Sequence, residues 1–406
     1  MSGSEWQRVP AGMGGSVWHT ARIERQVLAV VHTVTSAGHL LDAVELLETD
    51  DRVQVVFTQA PDVFNNGVAE FLRRLGVVVL SWDQARHTPF DLVLAADSAG
   101  LHELSGPVVL VAHGVVCNKV SPEAVSGPNS RLVVGLGAPW LLWYGRLVPS
   151  VVALSHDVHL QTLAEQCPDA LDAAAVTGDL CWDRLCASRS GRDGYRRALG
   201  IDDGRVVVAV TSTWGPQSLF GNCREMVFDA LCQLPPEEYA VVVTLHPALW
   251  FGHGPRQVAA WLAKYRDQGV RVVQPGMGWR GLLTAADVLV GDHGSVTPYA
   301  AGLGVPVLRT PGAGERAPAG AAMELVAAAA PEFCADRPFA KQCRRATAAL
   351  DVATSEAVAR RISSRPGRAA TLLRSAMYQQ MGMNEPVTAP TAVAVGSPRL
   401  LETARG

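Results

Sequence analysis

The feature that most constrains this chain is a rhythm of short, β-branched apolar runs separated by amphipathic stretches and turn residues. In the first half the runs are Val27–Val34, Val53–Thr58, Val77–Leu80, Leu92–Ala95, Val108–Ala112 and Val151–Leu154, with a helical pattern at Leu40–Glu48. In the second half they are Val206–Thr211, Ala240–Leu245, Val270–Val273, Val288–Val290 and Pro306–Leu308. Most are apolar throughout instead of alternating, as strands covered by helices on both faces require. Strands alternating with helical segments predict crossover units, and therefore parallel sheets. The chain is thus expected to be α/β, with two Rossmann-like domains in tandem.

Composition supports that reading and removes others. Of 406 residues, 48% are hydrophobic and 18% charged, enough apolar material for large cores and too little charge for a disordered chain. The 35 Lys and Arg against 38 Asp and Glu leave no basic surplus, so nucleic acid is not an expected partner. Eight scattered cysteines without a C-x-x-C pair point to a reduced, cytoplasmic protein without structural zinc, and no metal or cofactor is expected.

The expected organisation is a disordered tail at 1–24, a first domain at 25–187 and a linker at 188–205 rich in Arg, Gly and Asp. A second domain at 206–364 follows, then a helix at 365–383 returning to the first domain and a disordered tail at 384–406. Met1 to Gln26 has no apolar core of a secretory signal. Pro139, Pro149, Arg146 and three glycines interrupt the apolar stretch Leu132–Leu154, which argues against a spanning helix. Its aromatic cluster, Trp140 to Tyr144, reads best as a core-packed loop. The competing reading is peripheral membrane contact through Trp140 and Trp143, although only Arg146 flanks it.

Ligands of open parallel sheets bind outside the carboxyl ends of the strands. Five of the eleven histidines stand there: His32, His113, His156, His246 and His293. That placement points to a cleft between the two sheets. His113-Gly114 pairs a base with a backbone that permits close approach, and Lys119 can reach an anionic group. Asp292-His293-Gly294-Ser295-Val296-Thr297 closes a strand and opens a helix, which suits a phosphate seat as well as an ordinary cap. Ser212, Thr213 and His246 complete a candidate diphosphate site. No Walker A loop and no G-x-G-x-x-G after a strand is present.

Several of these residues, in order, resemble a family. His113-Gly114, Thr177-Gly178-Asp179, Tyr195 to Ile201 (Y-R-R-A-L-G-I), Val210 to Trp214 (V-T-S-T-W), Leu245-His246-Pro247 and Ala285 to Ser295 are similar to the CDP-glycerol glycerophosphotransferases, the teichoic-acid polymerases and their relatives. The likeness runs from about Val108 to Thr310, and Ser36 to His39 resembles the first loop of glycosyltransferases. It implies a GT-B fold, two Rossmann-like domains facing across a cleft, and a transferase that takes a nucleotide-diphosphate donor to an acceptor hydroxyl. It also implies His113 as general base, with Ser212, Thr213, His246, Gly294, Ser295 and Thr297 on the donor and Asp292 orienting a neighbour. The family's P-T-W-R and G-x-P-R-x-D are S-T-W-G and Gly178-Asp179-Leu180-Cys181-Trp182-Asp183 here, without their arginines. Gly304 to Thr310, with Gly314 to Pro318, is similar to UDP-GlcNAc 2-epimerases, but Gly294 to Tyr299 lacks that family's carboxylates. A non-catalytic nucleotide-binding or regulatory protein of the same shape is the third reading.

Overall fold

The computed structural model describes residues 20–62, 66–116, 120–121, 132–201, 204–276, 278–314 and 317–402. The tail expected at 1–19 and the anion contact expected of Lys119 lie outside these residues. The chain divides into two compact units, Met1–Cys181 with Ser364–Ala392, and Trp182–Ser363 with Val393–Gly406.

The first unit contains β1 (Arg25–Val31), β2 (Val53–Gln59), β3 (Val79–Leu80), β4 (Leu92–Ala95) and β5 (Val108–Leu110). A two-stranded hairpin follows, β6 (Leu142–Trp143) and β7 (Arg146–Leu147), then β8 (Val151–Leu154) and β9 (Ala174–Val176). The sheet order is β3-β2-β1-β4-β5-β8-β9, parallel at every pairing. The four residues of β4 are all buried, as are the last five of β1. Burying each such Val or Leu contributes about 1.5–3 kcal/mol, which explains why these runs carry no polar alternation.

The second unit repeats the plan with β10 (Val206–Ser212), β11 (Tyr239–Leu245), β12 (Arg271–Val272), β13 (Val288–Gly291) and β14 (Val307–Arg309). Its order, β12-β11-β10-β13-β14, is again wholly parallel. In each sheet the order reverses beside the first strand, between β1 and β4 and between β10 and β13. A crevice at such a switch point is where these folds place ligands.

Four expectations need correction. The Arg-rich segment 188–205 is not a linker, because its helix, Arg192–Ala198, is built into the second unit. Arg192 donates to the Thr284 and Ala286 carbonyls, and Arg192 and Arg196 both pair with Asp287. Charges that look like a solvated connector are used on main-chain acceptors. The described part of the C-terminal tail, 384–402, is likewise held in place. Leu401 N donates to Val272 O at 2.7 Å, Gln274 N to Arg399 O at 2.8 Å, and Tyr195 Oη to Val395 O at 2.7 Å. The tail has no periodicity because backbone pairing beside edge strand β12 holds it, and that pairing leaves little mark on side-chain pattern. Ser36 to His39 lie in the helix Val34–Val44 and not in a loop: Thr33 and Ser36 form a reciprocal capping box there. Lastly, Trp140 packs against the first-unit core, so it is not part of a surface aromatic patch. The exposed aromatics are at the hairpin tip, Trp143 stacked on His102 at 3.6 Å and Tyr144 91% exposed. Tyr144 and Gly145 have φ of 47° and 75°, the two positive values of a type I′ turn.

The helix Ala369–Met381 belongs to the first unit and is fastened there by a buried hydroxyl. Tyr378 Oη donates to Asp50 at 2.6 Å, and Arg52 holds the same carboxylate at 2.7 Å. The Arg52 guanidinium, helped by Tyr378, keeps the Asp50 carboxyl well below the usual range, while burial and Asp50 push the Tyr378 phenol well above its own. A depressed carboxyl stabilises above its unfolded value of about 4 and ceases to do so as pH falls; a raised phenol stabilises below about 10 and ceases to as pH rises. Tyr378→Phe should therefore cost about 1.5–3 kcal/mol between those limits. Urea midpoints across pH should show the loss narrowing at the acid end, and a loss independent of pH would contradict the assignment.

Candidate functional site

In the second unit the switch point is organised around one buried carboxylate. Asp292, just past β13, is 1% exposed. Its Oδ2 accepts from Thr213 N at 2.8 Å, Thr213 Oγ1 at 2.8 Å and Leu219 N at 3.0 Å, and its Oδ1 accepts from Gly294 N at 3.1 Å. These bonds tie the end of β10 to the end of β13. A Cβ at Gly294 would collide with Thr213 Cγ2, so the turn admits only glycine there. The nearby Cys223 thiol is pushed up to about 11 by burial and then by the Asp292 charge.

The structure brings the donor residues named from sequence to one sheet end but gives them unequal parts. Ser212 Oγ donates to Thr213 O at 2.9 Å and accepts from Phe220 N at 3.0 Å. Thr297, fully buried, donates to the Asp292 carbonyl at 2.6 Å. Both hydroxyls serve the scaffold, which corrects their assignment as ligand contacts. Ser295 is half-buried and its side chain makes no capping bond to the helix Val296–Gly302.

His246 N donates to Ser212 O at 3.0 Å, which places the histidine beside the same strand end. A helix starts at once, Pro247–His253, and His246 Nδ1 caps it by accepting from Ala248 N at 3.1 Å. The sequence places the nearest helix only at Pro255, because Pro247 reads as a strand stop; it is in fact the favoured first residue of a helix. A ring whose Nδ1 accepts an N–H carries its proton on Nε2. His246 thus presents a donor to the sheet end.

His113, in the first unit, has the opposite tautomer. It is exposed after β5, and its Nδ1 lies 2.5 Å from the Ala96 carbonyl, which can only accept. The neutral ring therefore keeps its lone pair on Nε2, the state a general base needs. Of the other strand-end histidines, His32 is fully buried with Nε2 2.7 Å from Ala99 O, a structural contact. His156 repeats the His246 pattern, its Nδ1 accepting from Val158 N at 3.0 Å. His293, half-buried, lies 3.4 Å from Thr213 Oγ1. Neither was singled out among the site residues, although both were visible as strand-end histidines.

No family model matches the chain, and no curated protein matches it in sequence. Solved structures do match its fold. A variant of the wall teichoic acid polymerase TagF superposes with a TM-score of 0.61 at 12% identity, over 88% of this chain and 89% of that one. A putative UDP-N-acetylglucosamine 2-epimerase from Listeria monocytogenes gives 0.53 at 15% identity, over 90% and 99%. The S. aureus MnaA–UDP structure gives 0.50 at 15%, over 92% and 100%. The fold is GT-B. Within the GT-B fold, the ends of β10, β11 and β13 in one unit and of β4 and β5 in the other carry the residues described above. Among the described residues no helix is long and apolar enough to cross a membrane.

Proposed function

We propose that the chain is a transferase that moves a group from a nucleotide-diphosphate donor to an acceptor hydroxyl, in the manner of the CDP-glycerol glycerophosphotransferases. The observation that carries the reading is the pair of opposed histidine tautomers. His246 offers an Nε2–H donor beside a seat made of Gly294, Ser295 and the amides fixed by Asp292. His113 offers an Nε2 lone pair. Departure of a nucleotide diphosphate builds negative charge that a donor stabilises, while the attacking hydroxyl must lose a proton that a base accepts. Asp292 positions Thr213 and Gly294 and does not itself meet the phosphates, since like charges repel. Lys119 would add an anion contact. Trp143, Tyr144 and Arg146, at the exposed hairpin tip, would provide the membrane contact of a peripheral cytoplasmic enzyme.

His246 decides between a donor site and a purely structural cap. His246→Ala should weaken CDP or UDP binding by about 1.5–3 kcal/mol, the range for a hydrogen bond to a charged group. It should also lower stability by about 1 kcal/mol through the lost cap. His246→Asn separates the two, because Asn caps well but cannot reach as far. Calorimetry should find its nucleotide affinity as low as that of the Ala variant, with stability restored. Equal affinity in wild type and both variants would remove His246 from the site. No binding of CDP or UDP by the wild type would favour the non-catalytic reading, and proton exchange into a UDP-sugar without acceptor would favour an epimerase.

A further inference from the structure

A cavity of about 40 Å³ lies within the first unit, at the carboxyl ends of β5, β8 and β9. Its polar lining comes from His39, Asp42, Ser155, Thr177 and Asp179, and Gly114 adjoins them. Ser155 is the informative member. It is 3% exposed, and its Oγ meets no hydrogen-bond partner. A buried hydroxyl left unpaired is costly, and folded proteins seldom tolerate one without a ligand or ordered water. Gly114 and Gly178 hold the surrounding turns at φ of 124° and 87°, a region suited to glycine.

The lining also states what kind of ligand it rejects. Asp42 and Asp179 are 4% and 7% exposed, and no Lys or Arg borders the space. Two buried carboxylates without a cation repel phosphate, sulfate or carboxylate. Nor is a metal indicated, since no group of three or more suitable ligands gathers among the described residues. What remains is an uncharged group that donates hydrogen bonds to carboxylates and exchanges one with a serine hydroxyl. At roughly 10–15 Å³ per water position, the space takes about three such positions, the size of a CHOH–CH₂OH fragment.

We infer that this cavity binds the uncharged terminal diol of a sugar or polyol, with Ser155 holding one of its hydroxyls. Ala112 and Gly114 of the wall flank His113 in sequence. If the proposed function holds, on which this last step rests, the diol is the acceptor end, and the acceptor presents a free hydroxyl and no phosphate to His113.

Saturation-transfer NMR on the full chain tests this, with glycerol as probe and glycerol 3-phosphate and inorganic phosphate as anionic controls. Glycerol should receive saturation from the wild type and the anions should not. Ser155→Ala should weaken glycerol about fivefold by losing one neutral hydrogen bond. Ser155→Val, which also fills the space, should abolish it, and the Ala variant decides if the Val variant does not fold. CDP and UDP affinities, measured by calorimetry, should be unchanged in both. The proposal is overturned if glycerol receives no saturation, in which case the cavity holds water only. It is equally overturned if an anion binds as well as glycerol, or if Ser155→Ala binds glycerol as the wild type does. Glycerol binding without any nucleotide binding would keep the diol site and discard the transferase reading.

Discussion

Asp292→Ala should destabilise the protein by about 3–4 kcal/mol and abolish nucleotide binding. The carboxylate satisfies three backbone N–H groups and the Thr213 hydroxyl in a setting that excludes water. Each buried donor left without an acceptor costs about 1–3 kcal/mol, and because the four share one partner their losses do not simply add. Asp292→Asn should fall between wild type and Ala. One amide oxygen still serves Thr213 and Leu219, while the new NH₂ faces the Gly294 amide. The Cys223 thiol offers an independent readout, since part of its elevation comes from the Asp292 charge. It should titrate lower in Asp292→Asn, at similar burial. Urea denaturation with thiol alkylation against pH measures both effects. An Asn variant as stable as wild type would mean that the charge contributes nothing to the turn.

The second large effect concerns rate. Once a donor is identified, His113→Ala should lower turnover by about 10²–10⁴-fold, the range for loss of a general base. Donor affinity should be unchanged, because His113 belongs to the unit that does not carry the diphosphate seat. Ring ¹⁵N shifts provide a check that needs no substrate. In the neutral form His113 should be protonated at Nδ1, against Ala96 O, and His246 at Nε2. Retention of full turnover by His113→Ala, or the reversed pair of tautomers, would refute the assignment.

Most of the sheet architecture was legible in advance because parallel strands buried on both faces leave an unmistakable mark. Val206–Thr211 and Ala240–Leu245 are nearly identical to the observed β10 and β11. The candidate site was legible as a set of residue types at strand ends, and less so as a set of roles. Thr297 and Ser295 look equivalent in sequence, yet Thr297 is buried against Asp292 and Ser295 is not. Pro247 read as the end of a strand, although it also begins a helix that engages His246 Nδ1.

The amino-acid sequence by itself determined the fold class, the two-unit plan and the strand ends where histidines collect, because these follow from local burial pattern and turn chemistry. Tertiary structure alone decided which hydroxyls are already spent, which nitrogen of His113 and of His246 carries the proton, and that Ser155 lacks a partner. It also decided that 188–205 and 384–402 are parts of the folded units and not connectors or tails. The physical reason is common to all of these. They depend on hydrogen bonds between residues far apart in the chain, such as Thr213 to Asp292 or Leu401 to Val272, and such bonds impose no period on either partner's sequence.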